Sequence, residues 1–195
     1  MNREEMADEV LRIIEETDTR SLYVKKYDRE RHKRNEWAEP HVIKMISVEN
    51  HTLKPSPNIY KLDIRIHENR TGKQVGIIEV ECNESGWIGT EPSKWKDIHF
   101  LNRHVDNWVK EGCPENSFYA IVSKDGKGIV MISFEEIIKR SSVINTNNDV
   151  IFEKQYNMKQ TDPDLIWGYE NCSIYLSSVL NRKVIKQTTL EEVLK

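Results

Sequence analysis

Between residues 60 and 82 the chain alternates apolar and polar positions on both sides of a glycine-containing turn. Tyr60, Leu62 and Ile64 share one parity before "HENRTGK", and Ile78, Val80 and Cys82 share it afterwards. A period of two flanking a turn predicts a β-hairpin. Asn69 and Lys73 close a loop of Arg70, Thr71 and Gly72, with Gly72 supplying the left-handed position such loops favour. This register pairs Tyr60 with Cys82, Leu62 with Val80 and Ile64 with Ile78. The opposite face pairs Asp63 with Glu79 and Lys61 with Glu81. A slip of one residue mixes acids into the apolar face, so the pattern itself fixes the register.

The periodicity elsewhere predicts the remaining elements. Met6, Val10, Ile13 and Ile14 give a helix over 2–16, and a second helix runs from about Leu22 to Ala38, stopped by Pro40. "HVIKMISV", 41–48, reads as a strand and "NHTLKPSPN", 50–58, as a loop. Ser93 caps a helix over 93–111 whose apolar stripe is Ile98, Leu101, Val105 and Trp108. "SFYAIVSKDGKGIVMIS" is a second hairpin turning at Asp125-Gly126, apolar on both faces as central strands are. "FEEIIKR" is a short helix, "DVIFEKQYNM" a strand and "TTLEEVLK" a terminal helix; 162–180 stays unassigned. The expected fold is α/β (α+β), a central mixed sheet flanked by helices. It forms a single domain over 1–195, with a core at about 20–140, an N-terminal helix at 2–16 and an extension at 141–195.

Composition narrows the classes. No apolar run approaches the roughly 20 residues of a membrane helix, and the acidic start lacks the pattern of a secretory signal. Cys82, Cys113 and Cys172 form neither a zinc spacing nor a disulfide framework, which points to a reduced, cytoplasmic protein. A net charge of −3 argues against a tail-type nucleic-acid binder. Within Arg20–Arg34, however, Lys25, Lys26, Arg29, Arg31, Lys33 and Arg34 make a basic patch able to meet phosphates. The same run also reads as a solvated helix face.

The order helix, three strands, helix, strand, with Asp63 on the second strand and Glu79 and Glu81 on the third, resembles the PD-(D/E)xK nuclease superfamily. The resemblance to this restriction-endonuclease-like fold spans roughly residues 20–135. It implies an α-β-β-β-α-β core and metal-dependent phosphodiester hydrolysis of DNA or RNA. Asp63 matches the first acid of the motif, with Leu62 in place of the preceding proline, and Glu79 matches the second. Glu81 stands at the lysine position, as in the restriction endonucleases that carry ExE. In viral cap-snatching endonucleases, which are similar in this respect, the lysine lies on the following helix, a place Lys94 or Lys96 would fill. Glu36 is the nearest match to the glutamate that family members carry on the first core helix.

The chemistry suits these residue types. Phosphodiester cleavage uses a divalent cation to neutralise developing charge and acidify a water. Asp63, Glu79 and the Val80 carbonyl are hard oxygen donors suited to Mg²⁺ or Mn²⁺. Opposed in the hairpin, the Asp63 and Glu79 Cβ atoms lie about 5 Å apart, and two such carboxylates repel unless a cation or proton intervenes. Trp87, in a glycine-flanked loop, is a surface for base stacking. His99 with Arg103, and Phe100 with His104, lie one helical turn apart and could line a groove. The partners expected are nucleic acid and a second copy in a homodimer, with no membrane. The competing possibility is an ordinary solvated face, with Lys61 pairing Glu81 and Asp63 pairing Arg65 or Lys96. A nuclease-like module without cleavage activity, binding nucleic acid or a protein, also fits the missing lysine.

Overall fold

The Asp125-Gly126 turn organises the centre of the protein, seen here in a computed structural model that describes residues 36–57, 62–82, 87–90, 97–140, 142–148 and 151–193. It joins β5 (Ser117–Val122) to β6 (Ile129–Ser133), paired antiparallel from Phe118↔Ser133 to Val122↔Ile129. Every residue of β5 is buried, as a strand covered on both faces requires. The other predicted hairpin is also present, as β2 (Ile64–Glu68) and β3 (Gln74–Cys82). Its register is the expected one at Ile64↔Ile78, and Gly72 has φ +69° in the turn. A bulge at Ile66/His67 shifts the pairing near the loop.

β1 (His51–Pro55), β2, β3, β5, β6 and β9 (Ile166–Trp167) form a six-stranded sheet in that order. Among the described strands of this sheet only the β3–β5 pair is parallel, so the chain crosses over between them. The crossover carries β4 (Asp97–Leu101) and helix α2 (Asn102–Lys110). β4 joins β8 (Ile151–Lys159) and β7 (Ser142–Asn148) in a second sheet, ordered β4-β8-β7. One core lies between the large sheet and α1 (Ala38–Met45) with α4 (Tyr169–Val193), built on Val42, Ile64, Ile78, Ala120, Cys172 and Leu176. The other faces α2, the second sheet and α3 (Phe134–Arg140), and includes Phe100, Trp108, Tyr119, Phe134 and Tyr156. The fold is α+β, with a mixed sheet between two packed layers.

Three expected elements differ. Residues 41–45 are helical rather than extended, because Ala38, Val42 and Ile46 recur at four-residue spacing and bury one face. Pro40 falls in the first turn, where a missing N–H costs nothing, so it opens α1 instead of ending a helix. His51–Pro55 is not loop but the edge strand β1, with Leu53 inward and Lys54 and Pro55 exposed, an arrangement that protects an edge from further pairing. The helix expected over 93–111 starts only at Asn102. Ahead of it Ile98 and Phe100 alternate inward around exposed His99, and Asp97–Leu101 pairs with the distant β8. The stretch 162–180 holds β9 and the start of α4, which docks through Cys172, Leu176 and Leu180. The helix at 2–16, the basic segment 20–34, Tyr60, Lys61, Ser93, Lys94 and Lys96 lie outside the described residues.

Candidate active site

The ladder between β2 and β3 stops at Ile64↔Ile78, so Asp63 and Glu79 are not a cross-strand pair as expected. Asp63 sits just ahead of β2, and its side chain ends the ladder. Its Oδ2 accepts the Val80 N–H at 2.9 Å, a donor that a longer ladder would have given to the backbone across from it. Glu79 and Glu81 both project from β3 onto the face beneath α2. There the Glu79 Oε1 meets Nδ1 of His104 from the first turn of α2. The Tyr119 hydroxyl, from the neighbouring parallel strand, donates to Glu81 Oε2. The His104 ring lies edge-on to Tyr119 at 5.2 Å, and Arg103 Nη2 stands 4.0 Å from Glu81 Oε1.

Burial dominates the electrostatics. Glu79 is only 4 % exposed, and burial, reinforced by the charge of Glu81, pushes its carboxyl from 4.5 up to about 8. The Asp63 backbone amide and Arg103 oppose that shift without cancelling it. Burial and then Glu79 raise the Asp63 carboxyl well above the usual carboxylate range, against the Val80 N–H and His104. Tyr119 is raised by burial and by Glu81. The result is a site in which burial and neighbouring acids favour the neutral, protonated carboxyl at Glu79 and Asp63.

The remaining expected site residues fall in different places. Glu36 is exposed in the turn before α1, whereas Glu39, inside α1, is the acid from this helix that contributes to the Asp63 shift. Val80 is half-buried beside Asp63. Trp87 is not a stacking surface: it is 2 % exposed and packs edge-on against Trp167 at 5.7 Å. Gly128 makes this packing feasible, since a Cβ there would meet the Gly89 carbonyl and the Trp87 ring at 2.5 Å each. His99 and Arg103 do not share a helix face, because His99 belongs to β4 and Arg103 to α2. Phe100 is likewise a β4 core residue, and His104 alone of that pair reaches the acids. Sequence reasoning missed Tyr119, which alternation along β5 marks only as inward-facing. It also missed Glu39, which reading Pro40 as a stop had placed at the end of a helix.

Asp63 Oδ1 and Glu79 Oε2 take no part in the bonds above, and Glu81 Oε1 faces Arg103 at 4.0 Å. Glu79 Oε2 is buried with no hydrogen-bond partner among the described residues. An orphaned, desolvated carboxylate oxygen beside a second raised acid fits a hard divalent cation. Among the described residues, no three His, Cys, Asp or Glu side chains already converge as a coordination set. Compared with family profiles, with curated proteins and with solved structures, the chain matches none of them.

Proposed function

We propose that the protein is a metal-dependent phosphodiesterase of nucleic acid, endonuclease-like, in which Asp63 and Glu79 hold Mg²⁺ or Mn²⁺. The observation that carries this reading is the Glu79 carboxyl, buried, pushed up to about 8 and orphaned at Oε2. A divalent cation would supply Lewis acidity and a bound water of lowered pKa at these oxygens. Asp63 is held for this role by the Val80 N–H, and Glu81 is oriented by the Tyr119 hydroxyl. Arg103, with its side chain 42 % exposed beside Glu81, places a guanidinium where a phosphate would approach. The order of α1, the antiparallel β1–β2–β3, α2 and β5 supports kinship with the PD-(D/E)xK fold, with β4 as an addition inside the crossover. Nucleic acid would be drawn in by the basic segment 20–34, in a reducing cytoplasm consistent with three free cysteines.

The test combines binding and cleavage. Mn²⁺ at millimolar concentration should raise the melting temperature by binding the folded state. Wild type should cleave single- or double-stranded DNA or RNA, and Asp63→Asn should abolish both effects. If wild type and Asp63→Asn melt alike with Mn²⁺, the metal site is wrong. The engagement of Glu81 by Tyr119, where the motif has a lysine, favours a second reading: a nuclease-fold module that binds without cleaving. Steeply salt-dependent oligonucleotide binding with no cleavage under Mg²⁺ or Mn²⁺ would select it.

A further inference from the structure

The protein buries an arginine between the sheet and the end of α2. Arg65 and Glu111 have side chains 7 % and 12 % exposed, joined by Nη1 to Oε2 at 2.8 Å and Nη2 to Oε1 at 3.2 Å. Such a pair is a poor source of stability, because desolvation offsets the attraction and apolar residues of similar size serve as well. What it touches is more informative. Glu111 Oε1 also accepts the Leu62 N–H at 2.9 Å, directly ahead of Asp63, while Arg65 lies two residues beyond. Arg65 Nη2 reaches Ser56 Oγ at 3.4 Å, and the Ser56 N–H donates to the Asp63 carbonyl at 2.6 Å.

We infer that the Arg65–Glu111 pair is a positioning clamp that sets the Asp63 carboxylate and ties it to α2. The backbone is pinned at Leu62 by Glu111 and at Asp63 by Ser56, on either side of the one rotatable acid. With both pins in place, the Asp63 side chain turns back to the Val80 N–H rather than out to solvent. Glu111 directly follows α2, the helix that brings His104 and Arg103 to the acids, so one carboxylate references both halves of the site. That the clamp serves a metal site rests on the function proposed above. That it sets Asp63 does not.

The double variant Arg65→Met/Glu111→Leu removes both charges and leaves neither orphaned. Amide hydrogen exchange is followed at Val80 and at Ala120 and Ile121 in β5, together with the Mn²⁺ dependence of melting. Val80 should exchange about tenfold faster while Ala120 and Ile121 keep their rates, a local opening rather than a global one. Mn²⁺ affinity should fall about 10–100-fold, as when a partner of a ligand is lost. Arg65→Met/Glu111→Gln, which keeps an acceptor for Leu62 and leaves no charge unpaired, should bring Val80 back toward wild type. If the double variant does not fold, Arg65→Lys, which loses the two-pronged fork, is read in the same way. Unchanged exchange at Val80, or parallel acceleration at all three amides, overturns the clamp. A wild type that never responds to Mn²⁺ brings down the metal function, and the Val80 rates still decide the clamp.

Discussion

Glu79 controls the pH behaviour. Its carboxyl titrates at about 8 in the fold and near 4.5 when free. Between those values the folded protein keeps a proton that the unfolded chain has released, so stability falls as pH rises. The stabilisation is complete below pH 4.5 and lost on passing through about 8. The melting temperature should therefore drop by roughly 5–10 °C between pH 6 and 8.5. Glu79→Gln, which mimics the protonated acid, should flatten the profile and melt higher than wild type at pH 8.5. A wild-type profile that stays level or rises over this range would refute the assignment. Gly128 tests packing at the same scale. Its Cβ shell is occupied by the Gly89 and Thr90 carbonyls and the Trp87 ring, so Gly128→Ala should destabilise by about 1–3 kcal/mol, as overpacking does, and calorimetry would detect it.

Elements were legible where local pattern and tertiary demand agree. The hairpin 117–133 combines strand residues with an Asp-Gly turn, and the sheet around it requires what that pattern already prefers. The turn is further locked from outside, since His41 Nε2 and the Tyr169 hydroxyl both donate to the Gly126 carbonyl at 2.9 Å. The helix expected over 93–111 is helical only in its second half, α2. Ile98 fits a helical stripe with Leu101, Val105 and Trp108 as well as it fits strand alternation, and the partner that settles the matter is β8, some 60 residues on. Trp108 anchors the helical part, stacked on Phe134 at 5.4 Å and 7°. Trp108→Ala should cost about 3–5 kcal/mol in urea unfolding. A loss under 1 kcal/mol would mean that the α2 core is not packed as described.

At the scale of the whole molecule, one apolar layer encloses Cys113, the other Cys172, and Cys82 is buried at the end of β3. Cys82, Cys113 and Cys172 are buried and free, and burial pushes the Cys172 thiol up to about 12. The thiolate is the reactive form, so a thiol reagent at pH 8 should leave the native protein unmodified and label all three sites after denaturation. Labelling within minutes in the native state would show that one of the layers opens. Among the described residues, no helix is long and apolar enough to cross a membrane.

The sequence by itself determined the hairpin pairing from Ile64↔Ile78 to Ile66↔Gly76, the position of Gly72, the central strands and the acids on β3, because each depends on neighbours a few residues apart. It could not place His104 against Glu79, Tyr119 against Glu81 or Glu111 behind Leu62, since those contacts join segments tens of residues apart. Only the tertiary structure decided that Asp63 leaves the ladder. That outcome depends on a carboxylate at the far end of α2 capturing the Leu62 N–H, and on burial that no local pattern records.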